Sequence, residues 1–230
     1  MAALLEAIEL TRYFDMGRKQ RVHAVEQLSL SIAEKEIVGL VGESGSGKST
    51  LAHRIAGRID WTAVDLDSES ICWAEANQEH LPPPHAVPAP RYSHGDLCHI
   101  ARGSEWHWLD IDPFGSPIRF LSPVIEAAAS RAVLEVSATD TAALTGSSRS
   151  ALKRRYKARA RTDALAHDTG LRILLATIAR NAAQHGRTIE PLLSIWDGHH
   201  LRISTRIAHS PDAADTLEGQ LGWRMAEPGD

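Results

Sequence analysis

Residues 42–50 read GESGSGKST, and Gly42, Gly47, Lys48 and Ser49 satisfy the G-x-x-x-x-G-K-[ST] spacing. That spacing serves phosphate binding: successive backbone N–H groups wrap an anion, the Lys48 ammonium neutralises it, and the Ser49 hydroxyl, with Thr50 beside it, holds Mg²⁺. A second charged feature is ALKRRYKARAR (151–161), six Lys or Arg around one Tyr. The chain's net charge is −4, so no global field draws it to nucleic acid, but a local cluster suffices for phosphate-backbone contacts. A solvated helix face is the alternative reading of such a run. A third feature is a set of acids that follow strand-like runs: Asp65 in WTAVDLD, Asp96 in HGD and Asp112 in LDIDPFG. The 12 histidines, His199 and His200 among them, show no metal-ligand spacing, so no metal is expected.

These groups need elements to position them. Residues 3–10 and 22–32 have strand-like apolar patterns, and EIVGLVG (36–42) is a short apolar run ending in glycine, as a buried strand does. KSTLAHRIAGRI then has helical spacing. WTAVDLD (61–67) is a strand, SESICWAEANQEH a helix opened by a Ser N-cap, and LPPPHAVPAPR (81–91) a stiff connection that excludes helix and central strand. EWHWLDIDPFG (105–115) is a strand running into a turn, SPIRFLSPVIEAAAS (116–130) a helix, and AVLEVSATD (132–140) a strand. DTGLRILLATIARNAAQHG (168–186) has apolar residues at i, i+3, i+4 and i+7 and closes on glycine. IEPLLSIWDGHHLRISTRI pairs two strands around Asp197-Gly198. Repeated βα units closed by a hairpin predict an α/β fold with an open, mostly parallel sheet and a C-terminal antiparallel hairpin. At 230 residues and 43% hydrophobic, the chain is long enough for one large domain or two small ones. Cys72 and Cys98 read as buried small residues in a reducing compartment, and the six tryptophans as core or rim. No signal peptide or bilayer-length apolar run is present, so no membrane insertion and a cytoplasmic location are expected.

Two resemblances sharpen this. VHAVEQLSLSIAEKEIVGLVGESGSGKSTLAHRIAG (22–57) closely resembles the start of an ABC transporter ATPase of the oligopeptide-importer type, which implies ATP with Mg²⁺ as ligand and Tyr13 or Phe14 stacking on adenine. It stops near residue 57. No Q-loop, LSGGQ-like signature or Walker B Asp-Glu pair follows. DIDPFGSPIRFL (110–121), ATDTAALTG (138–146), HDTGLRILLATIAR (167–180) and IEPLLSIWDGHHLRI (189–203) instead resemble successive blocks of the tRNA guanine-N2 dimethyltransferase family, in family order, over about residues 53–208.

This second resemblance implies a Rossmann-like class I methyltransferase, S-adenosylmethionine as cofactor, and a tRNA guanine at position 26 as acceptor. By motif position Asp65 and Asp96 become cofactor contacts, with Gly45 and Gly47 in the place of the cofactor's glycine loop. Asp112, Pro113 and Phe114 become the acceptor site. An exocyclic base nitrogen is a poor nucleophile because its lone pair is delocalised into the ring. Hydrogen bonds to Asp112 and the Pro113 carbonyl help to redirect that pair, while Phe114 stacks on the swung-out base. Thr139, Asp140 and Thr141 would border the target pocket, a polar turn being the alternative. Lys153, Arg154, Arg155 and Lys157 would meet tRNA phosphates.

The family's first strand and glycine loop are replaced here by the ABC-like βα unit, and its C-terminal tRNA-binding domain is expected to be missing. EIVGLVG and KSTLAHRIAGRI can take the first βα position, since both families open on strand, Gly-rich turn and helix. Lys48 would then set a positive charge near a sulfonium, which predicts weakened cofactor affinity. The expected organisation is an ABC-like segment over 1–57, a methyltransferase-like domain over 58–210 and a tail over 211–230. An ATP-binding P-loop module without transport machinery is the competing function, and a non-catalytic remnant the third.

Overall fold

The computed structural model describes residues 3–15, 21–33, 62–80 and 91–224. The chain divides into two compact units, residues 1–94 and 95–230. In the first, β1 (Ala3–Asp15) and β2 (Arg21–Ala33) pair antiparallel, with Tyr13 opposite His23 and Phe14 opposite Val22. β3 (Thr62–Asp65) and β4 (Arg91–His94) pair in parallel and are linked through α1 (Ser68–His80). The cap of α1 is Asp67 rather than a serine: its carboxylate accepts the N–H groups of Glu69 and Ser70, both at 3.2 Å, and the Ser70 hydroxyl at 2.8 Å. The expected EIVGLVG strand, the helix after it and the proline connection lie outside the described residues, as do Gly42, Gly45, Gly47, Lys48, Ser49 and Thr50.

The second unit holds a four-stranded sheet of β5 (Trp106–Ile111), β6 (Ala128–Ala138), β7 (Arg187–Trp196) and β8 (Leu201–His209) in the order β5-β6-β8-β7. β5 and β6 run parallel, whereas β8 is antiparallel to both of its neighbours, so the sheet is mixed. Alternate residues on three strands, Leu109 and Ile111, Leu134 and Val136, Leu201 and Ile203, are buried. They form one core with Leu121, Val124 and Ile125 of α3 (Ile118–Glu126) and with Leu174, Ile178 and Ala182 of α6 (Ala166–Ala183), the last three spaced four apart on one helix face. Between β6 and α6 lie α4 (Thr141–Leu144) and α5 (Arg149–Tyr156), and α2 (Leu97–Ile100) precedes β5.

Helix α3 stops at Glu126, short of the expected residue 130, because the alanine run pairs instead: Trp106 lies opposite Ala128, and Ala128 and Ala129 are buried. Alanine's helix preference of under about 1 kcal/mol per residue yields to tertiary pairing. The β7–β8 hairpin spans residues 197–200, with Gly198 at φ +100° and the Asp197 carboxylate accepting the N–H groups of His199 and His200. The segment expected as a tail contains α7 (Pro211–Asp215) and α8 (Leu217–Gln220) and is fastened down: Arg180 Nε meets Glu218 Oε1 at 2.8 Å, and Arg224 pairs with Asp163. Cys72 is exposed and Cys98 half-buried, and Trp73 and Trp223 are exposed, against the expected burial. The expected apolar packing fails where these residues lie on short or solvent-facing elements. Among the described residues no helix is long and apolar enough to cross a membrane.

Candidate functional site

β5 delivers Asp112, Pro113, Phe114 and Gly115 at its carboxyl end. Proline lacks the N–H that would continue the ladder, and Gly115 adopts φ +85°, a conformation costly for any residue with a Cβ, so the chain leaves the sheet in a sharp turn. Asp112 is exposed and Pro113 half-buried, while Phe114 is 95% exposed. The turn is nevertheless fixed. The Gly115 N–H donates to Thr139 Oγ1 at 2.5 Å, and the Thr139 N–H donates back to the Gly115 carbonyl at 3.0 Å. The turns after two parallel neighbouring strands are thereby locked together.

A second lock lies one residue further on each side. The Tyr156 hydroxyl, at the end of α5, donates to Asp140 Oδ1 at 2.6 Å and lies 3.1 Å from Ser116 Oγ. Arg155 donates to the other Asp140 oxygen at 2.9 Å. Tyr156 is 2% exposed and the Asp140 side chain 9%. Burial, reinforced by the bond to Asp140, pushes the Tyr156 phenol far above its usual range, so it remains a neutral donor. The fold adds to two sequence expectations here. The side chains of Thr139 and Asp140 tie loops together, as in the polar-turn alternative, and Thr139 remains exposed. Arg155 is not a free cation for RNA, because its charge is committed to Asp140.

Behind the turn sits a cluster that the sequence reading missed. Arg202 of β8, 4% exposed, donates to Ser137 at 2.7 Å and to Asp110 at 3.0 Å, and its Nε lies 3.4 Å from Glu135 Oε2. Ser204 donates to the other Glu135 oxygen at 2.8 Å. Burial raises the Glu135 carboxyl above its usual range, opposed by Ser204 and Arg202. Asp110 is two residues before Asp112, so Arg202 holds the last residues of β5 against β6 and β8, and the field of Asp112 also favours the charge on Arg202. The available signal was period two: Asp110, Glu135 and Arg202 all alternate with core residues and share one sheet face.

The proposed cofactor acids sit at strand ends. Asp65 closes β3, exposed, and accepts the Asp67 N–H at 2.9 Å. Asp96, after β4, caps α2 by accepting the Cys98 N–H at 2.9 Å and pairs with Arg119 at 2.6 Å. The Cys98 N–H, with Arg119, holds its carboxyl below the usual range. Thr141 opens α4 and is half-buried, its carbonyl accepting from Thr145.

The family described as N2,N2-dimethylguanosine tRNA methyltransferase matches residues 84–226, and the family described as ABC transporter matches residues 25–86. A tRNA (guanine(26)-N(2))-dimethyltransferase of Thermoplasma acidophilum is 36% identical over 126 residues, which are 55% of this chain and 36% of that protein. One from Methanoregula boonei is 33% identical over 202 residues, 87% of this chain and 52% of that protein. The chain thus spans between about a third and a half of these curated relatives. Among solved structures, the complex of Trm1 from Pyrococcus horikoshii with S-adenosyl-L-methionine superposes with a TM-score of 0.67 at 24% identity, over 76% of this chain and 51% of that one. That likeness places the fold with Trm1, and the family match covers well over half of the sequence. The chain belongs to the N2,N2-dimethylguanosine tRNA methyltransferase family.

Proposed function

We propose that the chain acts in S-adenosylmethionine-dependent methylation of the N2 amino group of a guanine in tRNA, position 26 being the position named for its relatives. One observation carries the reading: Phe114, 95% exposed, stands on a turn pinned by Gly115, Thr139, Ser116 and Tyr156. Presenting an aromatic ring to water on a fixed turn forgoes its burial, a sacrifice that a stacked base repays with about 1–3 kcal/mol. In this reading the Asp112 carboxylate and the Pro113 carbonyl accept hydrogen bonds from the guanine amino group and orient its lone pair, and Asp112 receives the proton that leaves as the N–C bond forms. Phe114 holds the extruded ring. When bound, S-adenosylmethionine supplies a methyl group activated by a sulfonium. Strand-end carboxylates suit its hydroxyl and amino donors, so the exposed Asp65 and the half-buried Asp96, whose second oxygen pairs with Arg119, are the residues proposed to hold it, with Gly45 and Gly47 in the loop that replaces the family's own. Residues 58–210 would form the catalytic domain, and the reaction would take place in the cytoplasm.

Transfer of labelled methyl from S-adenosylmethionine to tRNA, followed by nucleoside analysis, tests the reading. N2-methylguanosine should form and fall at least about 100-fold in Asp112→Ala and Phe114→Ala. Undiminished methylation in both variants, or a methyl on another atom, would refute it. The ABC transporter match over residues 25–86 supports a second reading, an ATP-binding loop at Gly42, Gly47, Lys48, Ser49 and Thr50. Calorimetry separates the two: tight Mg-ATP binding without methyl-donor binding reverses their order.

A further inference from the structure

The six cations of ALKRRYKARAR have different fates in the fold. Arg155 is paired with Asp140, and Arg161 bears on Asp163. Lys153, Arg154, Lys157 and Arg159 are exposed and have no carboxylate partner among the described residues. These four, with Ser150 and Ala158, line one surface concavity of about 560 Å³. Its shape comes from the backbone. Lys157 takes a left-handed conformation at φ 54°, ψ 28°, which ends α5 after Tyr156 and brings Ala158 and Arg159 round to the side of Lys153 and Arg154.

We propose that this concavity is a cradle for the sugar-phosphate backbone of the RNA whose base reaches the 112–115 turn, an inference that rests on the tRNA reading above. Every charged group lining it is a cation and Ser150 adds a hydroxyl donor, the set that phosphate oxygens require. Its only apolar lining side chain is Ala158, so it lacks the large apolar residues with which a surface inserts into lipid. Position favours the acceptor strand. Arg155 and Tyr156, between two of the cradle's cations in sequence, are the residues that tie Asp140 and Ser116 beside the acceptor turn. One short helix thus carries Lys153 and Arg154 of the cradle together with the ties beside the turn, the placement that a strand with its base at that turn would meet. Recognition there is by charge and carries no base sequence.

Binding of tRNA to the full chain, measured from 50 to 200 mM salt, tests the cradle, with K153Q/R154Q/K157Q/R159Q as the variant. Exposed side chains on a helix end can be neutralised without unfolding, and K153R/R154K/K157R/R159K, which keeps every charge, is the control. If about three phosphates are contacted, the slope of log K against log salt becomes less negative by about 2.7 in the neutralised variant. Wild type would then lose about 40-fold more affinity across that salt range than the variant does, and the charge-conserving control would track wild type. Equal slopes for wild type and the neutralised variant overturn the cradle, as does absence of tRNA binding by wild type. Loss of binding to phosphatidylserine vesicles with an unchanged RNA slope would overturn it in favour of a membrane contact. Donor binding, measured by calorimetry on the same preparations, decides the methyl-transfer reading separately.

Discussion

Replacing Tyr156 by phenylalanine removes one oxygen and keeps the buried ring, so it isolates the lock between the acceptor turn and α5. The lost bond runs at 2.6 Å to a carboxylate that is 9% exposed. Hydrogen bonds to charged groups contribute about 1.5–3 kcal/mol, and Asp140 keeps Arg155 as a partner, so a loss of about 2 kcal/mol is expected. With a urea dependence of about 2 kcal/mol/M, the midpoint should fall by about 1 M, read from tryptophan fluorescence. Asp140→Ala removes the acceptor at the other end, and a double-mutant cycle should return a coupling of at least about 1 kcal/mol. Alkaline pH supplies an independent check. The phenol's folded-state pKa lies above its unfolded value, so its contribution is complete below about pH 10 and is lost as pH rises beyond that. Tyr156→Phe should flatten this alkaline decline. A cost below about 0.5 kcal/mol, or additivity with Asp140→Ala, would refute the argument that Tyr156 fixes the turn.

Arg202→Ala should cost about 3–5 kcal/mol in urea unfolding, because it strands the buried Glu135 beside Asp110; R202M/E135L, which removes both charges, should recover more than half of that. Lys157→Gly should raise stability by about 0.5–1 kcal/mol by relieving the left-handed backbone, while weakening RNA binding through the lost cation; thermal melts and filter binding must move in opposite directions. Gly170→Ala should lower stability by about 1 kcal/mol although it improves helix propensity. The new Cβ would lie 3.0 Å from Leu201 Cδ1 and 3.3 Å from the Leu144 carbonyl, and a rise in melting temperature would show that α6 can shift.

What could be read from the sequence followed from local rules. Strand-like runs bounded by turn residues placed β5, β6 and β8, and the i, i+4 spacing placed α6, because one face of each must be apolar wherever its neighbours lie. The acid-proline-aromatic turn was legible for the same reason: Pro113 and Gly115 end a strand by their own geometry. Strand order is not local. Nothing in LRIST announces that β8 inserts between β6 and β7, yet that order sets Arg202 opposite Ser137 and within reach of Asp110, so the buried charge cluster became visible only in the fold. The same limit applied to Thr139 and Asp140, whose types suit a pocket rim and a loop tie equally well; the Gly115 N–H engages the first and the Tyr156 hydroxyl the second only through the fold.

It applied most sharply to the basic run. Six cations in eleven residues look equivalent along the chain, but a helix of eight residues ending in a left-handed turn sorts them by direction. Arg155 falls on the side of the acceptor turn, where it neutralises a nearly buried carboxylate, and its neighbours Arg154 and Lys157 fall on the side of the concavity. Arg155 and a cradle cation should therefore fail differently on substitution. Loss of Arg155 leaves Asp140 with a single strong partner and should loosen the turn without changing the salt dependence of RNA binding. Loss of Arg154 should change that slope by about one phosphate's worth and leave the turn intact. If the two substitutions proved interchangeable in both measurements, the division of this helix into a structural side and a binding side would be wrong.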